Sequence, residues 1–304
     1  MITMLFLKPK RILTVAVHLM GAGVFWPVGG LAAEPEAPCT LEIMTFNIRY
    51  PNKDDGPNYW KHRTRLVADV MRKNMPDVIG LQEAMRSQLD DLAALLPEYA
   101  EIGIGRDDGK TEGEYSAILY KKSVLQSTDS GTFWLSDTPE VAGSRTWHHV
   151  CPRVCTWSHF KHLTSGRSFY VYNTHWDHES EEARTKSVGL LAERIEHRKH
   201  PGDPFLITGD FNCGESSGPI QALRRRLTLR DSFRMIHPNE KEAGTFHGWS
   251  GRVDGDKIDY IWMDTTMSAL EAEIIHTQRD GRYPSDHFPV RAQVQLANPC
   301  PQVR

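Results

Sequence analysis

The chain has 304 residues, of which 39% are apolar and 25% are charged, a composition typical of a folded globular protein. Its 39 acidic and 36 basic side chains give a formal net charge of −3. Proteins that coat nucleic acid by bulk electrostatics carry a basic excess, so any phosphate should instead be bound by a few placed side chains or a metal ion.

The first 33 residues have the order of a secretory signal peptide. A basic stretch at residues 8–11 precedes an apolar run at 12–26, and small residues end at Ala33. Glycines and a histidine interrupt the run, which makes it a poor membrane span. We predict a signal peptide at 1–33, an exported protein that is periplasmic or secreted, and no stable membrane partner after cleavage. An uncleaved N-terminal anchor is the alternative.

Hydrophobic periodicity after this segment predicts alternating strands and helices. The predicted strands are 41–47, 77–82, 99–103, 116–120, 132–135, 154–161, 169–174, 205–208, 258–262, 270–276 and 288–296, and the predicted helices are 62–74, 87–96, 181–196 and 219–226. No repeat or long linker divides residues 40–298, so we predict one domain there. Its fold class should be α+β, with two packed sheets and helices outside.

Five cysteines are present, and export would permit disulfides. Cys39 and Cys300 lie just outside the first and last predicted strands and would meet if those strands pair antiparallel. A disulfide between them is therefore a hypothesis. The odd number of cysteines leaves at least one free thiol.

Polar residues recur where predicted strands end. They are Asn47, Glu83, His175, Asp210 with Asn212, Asp259, and Asp286 with His287. Each one alone is equally well explained as a turn, cap or structural residue. As an ordered set they predict one convergent site. Carboxylate, amide and imidazole groups together suit a hard divalent cation and acid–base chemistry.

The segments that carry this set resemble the endonuclease/exonuclease/phosphatase superfamily. They read MTFNIRY, DVIGLQEA, YNTHWDH, ITGDFNC, KIDYIWM and YPSDHFPV, and they span nearly all of residues 41–296. Within the superfamily, GRDDGK, SGTFWLSDTPE, RVCTW and GRYPSDHFPV resemble a bacterial branch with poorly defined substrates. The resemblance implies a four-layer α/β/β/α sandwich of two mainly antiparallel sheets. It also implies Mg²⁺- or Mn²⁺-dependent cleavage of a phosphate ester.

The resemblance also implies roles for the acidic residues and amides. Glu83 would be the main metal ligand, with Asn47 close by and Asp286 as a further ligand. Asp210 would orient and deprotonate the attacking water. Asn212 would hold the phosphate or the same water.

Two histidines have implied roles as well. His287 would contact the phosphate, while Asp259 accepts its other ring N–H and fixes its tautomer. His175 matches the histidine that protonates the leaving oxygen in deoxyribonuclease-like members. Glu114 is the tentative partner of His175, and Tyr115 is the alternative at that place.

The substrate is less well defined by the sequence. Ile207-Thr208 and Cys213 around GDFN depart from the inositol 5-phosphatase branch, and Asp177 departs from the sphingomyelinase branch. Arginine binds phosphate bidentately and tryptophan offers stacking surface. The candidates for lining the cleft are Arg106, Arg145, Trp60, Arg63, Trp134, Trp147 and Arg153.

Three functions stay open at this point. The first is a monomeric phosphodiesterase or nuclease that uses in-line water attack on nucleic acid or a small phosphorylated metabolite. The second is a phosphatase, or a hydrolase of phospholipids or sugar phosphates. The third is a catalytically silent binding protein on the same fold.

Overall fold

Twelve strands and five α-helices form between residues 39 and 296, the residues that the computed structural model describes. The strands are β1 (Cys39–Asn47), β2 (Val78–Gln82), β3 (Tyr99–Ile102), β4 (Ile118–Lys121), β5 (Leu125–Trp134), β6 (Val154–His162), β7 (Ser168–His175), β8 (Phe205–Asp210), β9 (Arg230–Asp231), β10 (Asp259–Met263), β11 (Met267–Ile274) and β12 (Val290–Leu296). The helices are α1 (Trp60–Asn74), α2 (Arg86–Leu95), α3 (Glu181–Glu196), α4 (Gly218–Leu227) and α5 (Ser232–Ile236). The predicted signal peptide and Cys300, and hence the Cys39–Cys300 hypothesis, lie outside the described residues.

The strands form two sheets of six. The first has the order β11-β12-β1-β2-β4-β3 and the second β5-β6-β7-β8-β10-β9. Only β1–β2 and β7–β8 pair in parallel among the described strands, and every other pairing is antiparallel. The prediction of two mainly antiparallel sheets is therefore confirmed.

Three groups of buried side chains define the layers. Ile43, on one face of β1, packs with residues of both sheets, whereas Met44, on its other face, packs with residues of α1 and α2. A third group joins α3 and α4 to the second sheet and includes Leu191 and Trp262. Strands buried on both faces read as nearly continuous apolar runs, which explains the motif segments. The order helix, sheet, sheet, helix is the expected four-layer sandwich.

The predicted elements agree best where caps and apolar periodicity coincide. Helix α3 spans the predicted 181–196, and the Ser180 side chain accepts a hydrogen bond from the Ala183 N–H (3.1 Å) at its start. Strand β5 is longer than the predicted 132–135. Residues 126–131 are polar or partly exposed and show no alternation, so the sequence pattern did not indicate a strand there. None of the helices between residues 39 and 296 is long and apolar enough to cross a membrane.

A buried amide joins the two sheets at one level. Asn173 on β7 donates hydrogen bonds from Nδ2 to the carbonyl oxygens of Leu81 (2.8 Å) and Ala117 (2.9 Å). Its Oδ1 accepts from Gln82 Nε2 (2.7 Å) and Thr208 Oγ1 (3.0 Å). All four hydrogen-bonding positions of this amide are thus used. The network fixes β2, β7 and β8 relative to one another.

Gly80 leaves room for this hydrogen-bond network between the sheets. A Cβ at Gly80 would lie 2.2 Å from Thr208 Oγ1 and 2.5 Å from Asn173 Oδ1, so any larger residue would displace the network. Glu83, His175 and Asp210 follow the networked residues by one or two positions along their strands. The network therefore sets the spacing of these three side chains.

Candidate active site

The strand register brings the polar strand ends together. Asp210 is opposite His175 in the β7–β8 pair and opposite Asp259 in the β8–β10 pair. A cleft of about 690 Å³ opens at this edge of the sheets. It is lined by the predicted residues Glu83, Arg106, Glu114, Arg153, His175, Asp210, Asn212, Asp286 and His287, while Asn47 and Asp259 are buried beside it.

One side of the cleft, which we call the acidic end, carries Asp55, Glu83 and Asp286. Asn47 Nδ2 donates to Glu83 Oε1 and to Asp210 Oδ2, both at 3.0 Å. Glu83 itself has a left-handed backbone (φ 59°), and its Oε2 accepts from the Tyr50 N–H (3.1 Å). Burial raises the pKa of Asp286.

The acidic end fits a hard divalent cation. Glu83 and Asp286 offer carboxylate oxygens that open onto the cleft, which is the donor type that Mg²⁺ and Mn²⁺ prefer. Asn47 Oδ1 accepts from the Arg49 N–H (3.0 Å), so in this arrangement the amide holds Glu83 through its nitrogen.

A second cluster, Asp210, Asp259 and His287, also has ligand-type atoms within 4.8 Å of one another. His287 Nδ1 lies 2.9 Å from Asp259 Oδ2, and its Nε2 lies 3.8 Å from Asp210 Oδ2. Burial alone would lower the pKa of His287, but the two carboxylates raise it to about 10. An imidazolium has no lone pair for a metal, so this cluster is suited to holding a proton.

Asp210 is the centre of the site. Its Oδ1 accepts from the Asn212 N–H (2.9 Å), and its Oδ2 accepts from Asn47. Burial, and then the neighbouring Asp259 carboxylate, raise the pKa of Asp210, while the charge of His287 and then the bonds from Asn212 and Asn47 favour the charged form. A carboxylate whose proton affinity is raised in this way is suited to act as a general base.

His175 is the neutral imidazole of the site. Burial, followed by the charges of Arg153 and Arg106, places its pKa well below the ordinary value. Its Nε2 lies 2.9 Å from Asn212 Nδ2 and 3.4 Å from Asp210 Oδ2. A hydrogen bond from the Asn212 amide requires an unprotonated Nε2, in agreement with the lowered pKa.

The expected pairing of Glu114 with His175 is not seen among the described hydrogen bonds. Glu114 lines the cleft but accepts both of its bonds from Arg106 (2.7 and 2.9 Å). Tyr115, the alternative, is buried, and its hydroxyl donates to the Lys110 carbonyl oxygen (3.0 Å). Of the two, only Glu114 faces the main cleft.

Several of the arginine and tryptophan candidates lie away from the cleft. Arg145 is exposed and donates to the Val150 carbonyl oxygen (2.8 Å). Trp60 and Trp134 are buried and donate to Asp91 and to the Arg106 carbonyl oxygen, both at 2.7 Å. Trp147 lines a separate cavity of about 900 Å³ on the outer side of the second sheet.

Arg63 and Arg153 are almost fully buried and have different surroundings. Arg63 donates to the backbone carbonyl oxygens of Ile48, Arg49, Asn58 and Pro284 behind the acidic end. Arg153 lines the cleft and lies 2.8 Å from His178 Nδ1. Arg63 is thus a structural residue and Arg153 a cleft residue.

The cleft also contains residues that the sequence did not single out, namely Arg49, Tyr50, Asp55, Cys151, Phe246, Gly248, Trp249 and Ile258. Phe246 is 49% exposed, and its ring centroid lies 5.0 Å from that of His287. Arg49 and Tyr50 fall inside the MTFNIRY segment, so their place beside Asn47 in the sequence could have indicated that they line the cleft. The exposure of Phe246 had no comparable signal.

Comparisons with known proteins agree with the fold. A model of the endonuclease/exonuclease/phosphatase family matches residues 44–287. A solved endonuclease/exonuclease/phosphatase from Bacteroides vulgatus is 35% identical, with a TM-score of 0.78 and coverage of 85% of this chain and 99% of that chain. The mannosyl-6-phosphatase of Bacteroides thetaiotaomicron is 32% identical, with a TM-score of 0.77 and coverage of 84% and 99%.

Curated relatives are more distant and longer. Nocturnin of Drosophila melanogaster is 26% identical over 79% of this chain, and the match covers 42% of nocturnin. The probable RNA exonuclease NGL3 of Saccharomyces cerevisiae is 25% identical over 72% of this chain and 46% of its own length. The chain spans about half the length of the curated relatives that it matches.

Proposed function

Because the chain belongs to the endonuclease/exonuclease/phosphatase family, we propose that it is an exported, divalent-metal-dependent phosphoesterase that acts on small phosphorylated molecules. The observation that carries the proposal is the position of Asp210. Its carboxylate lies within 3.8 Å of Asn47, His175 and His287, and the Asn47 amide, which donates to both carboxylates, links it to Glu83.

Each side chain has a defined part in the proposed hydrolysis. Asp210 accepts a proton from the attacking water, and its raised pKa favours that transfer. His287, held as an imidazolium by Asp259, contacts the phosphate oxygens on which charge develops.

The remaining groups complete the site. His175 is neutral before substrate binds, and its Nε2 would have to exchange the Asn212 hydrogen bond for a proton from solvent before it could protonate the leaving oxygen. Glu83 and Asp286 would hold the Mg²⁺ or Mn²⁺ ion, with Asn47 orienting Glu83. When bound, the ion neutralises phosphate charge as a Lewis acid.

The size and charge of the cleft support a small substrate. A volume of about 690 Å³ suits a metabolite, and the arginines that line the cleft, apart from Arg49, are Arg106 and Arg153. The similarity to a mannosyl-6-phosphatase supports a sugar phosphate as one such substrate. A nuclease is the second candidate, supported by the similarity to a probable RNA exonuclease.

Hydrolysis assays separate these candidates. The purified protein is incubated with Mg²⁺ or Mn²⁺, with or without EDTA, and with mannose 6-phosphate, p-nitrophenyl phosphate, bis-p-nitrophenyl phosphate, RNA or plasmid DNA. We expect EDTA-sensitive turnover of at least one small ester, faster than that of nucleic acid. Preferred cleavage of RNA or DNA would support the nuclease, and no EDTA-sensitive turnover would support a silent binding protein.

Export is part of the same proposal and rests on the order of charges and apolar residues in 1–33. N-terminal sequencing of the protein recovered from periplasm or medium should begin near Glu34. Recovery of the intact N-terminus in a membrane fraction would contradict export and support the uncleaved anchor.

A further inference from the structure

The Arg49 guanidinium lies among the three carboxylates of the acidic end. Its Nε and Nη2 donate to both oxygens of Asp55, at 3.0 and 3.1 Å. The same guanidinium lies 3.7 Å from Asp286 Oδ2 and 4.0 Å from Glu83 Oε2, which is beyond ordinary hydrogen-bond length. Both oxygens of Asp55 are therefore hydrogen-bonded to Arg49, while Glu83 and Asp286 are in ion-pair range of Arg49 without a hydrogen bond to it.

Side-chain hydrogen bonds hold the backbone of Arg49 in an unfavourable conformation. Its φ of 56° is in the left-handed region, which is unfavourable for a residue with a side chain. The Arg49 N–H donates to Asn47 Oδ1 (3.0 Å), and its carbonyl oxygen accepts from Arg63 Nη2 (2.7 Å) and Gln88 Nε2 (2.9 Å). Both peptide groups are thus fixed by side chains, so the guanidinium is aimed at the acidic end by the fold.

The two kinds of contact have different consequences for a cation. A bidentate arginine–carboxylate pair uses both carboxylate oxygens and is among the strongest pairs in proteins. If Arg49 were absent, Asp55 would be a third free carboxylate beside Glu83 and Asp286. Carboxylates that share a small space favour additional cations, and closely spaced metal pairs are common in phosphoesterases.

We propose that Arg49 withholds Asp55 from metal binding and so limits the acidic end to one divalent cation. This inference rests on the proposed function, because it assumes that Glu83 and Asp286 bind that cation. Arg49 acts here through Asp55 and is a positioning residue for the metal site.

Metal stoichiometry tests the proposal without any measurement of turnover. Isothermal titration with Mn²⁺, checked by the electron paramagnetic resonance signal of free Mn²⁺, should give one ion per wild-type chain. Asp55→Asn should also bind one ion with nearly wild-type affinity. Glu83→Gln should bind the ion more weakly, by about tenfold or more. Two ions in the wild type, or an equal loss in Asp55→Asn and Glu83→Gln, would overturn the proposal.

The Arg49→Gln variant gives the complementary result. It should admit a second Mn²⁺, and the double variant Arg49→Gln/Asp55→Asn should return to one. Arg234→Gln is the matched control, because Arg234 makes a similar bidentate pair with Glu215 (2.7 and 2.7 Å) outside the cleft, and it should bind one ion. A folded Arg49→Gln variant that binds one ion with unchanged affinity would contradict the proposal.

Failure of the proposed function itself has a different signature. In that case the wild type would bind no Mn²⁺ and would show no EDTA-sensitive turnover. If Arg49→Gln does not fold, as judged by circular dichroism, the comparison of Asp55→Asn with Glu83→Gln still decides whether Asp55 is a ligand.

Discussion

Asp210 depends on its neighbours for the chemistry proposed here. Its two oxygens contact groups from β1, β7, the loop after β8 and the segment before β12. A carboxylate buried beside a second carboxylate would ordinarily be protonated, yet the charge of His287 and then two hydrogen bonds to Asp210 favour its charged form. The residue type was predictable from the GDFN segment, but this balance of effects was not.

Replacement of Asp210 by asparagine tests the general base. Asp210→Asn keeps the shape and removes the proton acceptor, so we expect kcat to fall by about 10²–10⁴-fold with the melting temperature nearly unchanged. Steady-state kinetics on the best small ester, with thermal melts, measures both quantities. The control is Asp90→Asn, a largely exposed carboxylate on α2 paired with Arg86. Turnover of Asp210→Asn within a few-fold of wild type would refute the role.

Asp259 should give the protein a measurable dependence of stability on pH. The folded-state pKa of His287 is raised to about 10, so the stabilisation is fully present below the unfolded pKa of about 6.5 and is lost as the pH rises towards 10. Urea unfolding of the metal-free protein at several pH values across this range should show a declining free energy of unfolding. Asp259→Asn should decline much less, and equal slopes in the two proteins would show that this pair does not set the pKa.

At the scale of elements, packing and capping explain what the sequence could predict. Helix α3 was predictable because Ser180 caps it and its apolar residues recur with helical periodicity. Strand β9 and helix α5 span only two and five residues, which is too short for periodicity to register. Their formation depends on β10 and β11, which are distant in sequence.

Asn173 should contribute more to the stability of the packing of the two sheets than a single polar side chain usually does. Asn173→Ala leaves the carbonyl oxygens of Leu81 and Ala117 and the side chains of Gln82 and Thr208 without their partner. Buried polar groups left unpaired cost about 1–3 kcal/mol each before relaxation, so we expect a loss of about 3 kcal/mol or more in the free energy of unfolding.

Chemical denaturation of Asn173→Ala measures this loss. Asn74→Ala is the comparison, since Asn74 makes one partly exposed hydrogen bond, to the Val70 carbonyl oxygen (2.8 Å). Similar losses in the two variants would mean that the inter-sheet network contributes little.

At the scale of the whole molecule, the family and the four-layer fold were predictable and are confirmed, because the motif segments are distributed along residues 44–287. That the strand ends converge on one cleft was predictable from the same topology. The roles of the individual residues, the domain limits 40–298 and export stay predictions. The loop side chains Phe246 and Trp249 line the cleft, and their place beside the site was not predictable because it depends on tertiary structure.

The charge of the whole chain predicts a weak response of turnover to salt. Removal of the predicted signal peptide would take away three cationic and no acidic residues, so the formal charge would fall from −3 to −6. Binding of nucleic acid through many phosphate contacts weakens about a thousandfold or more between about 50 and about 200 mM salt. A small ester held by a metal ion and a few side chains releases few counterions, so its kcat/KM should change by only about a few-fold over that range.

Measurement of kcat/KM for the best small ester and for a single-stranded RNA at both salt concentrations tests this expectation. Potassium acetate at fixed Mg²⁺ varies ionic strength without competing for the metal site. A steep loss with RNA together with higher activity on RNA at low salt would favour the nuclease. Near-constant activity on the small ester, combined with poor cleavage of RNA at both concentrations, is the outcome that an acidic chain with a cleft of about 690 Å³ should give.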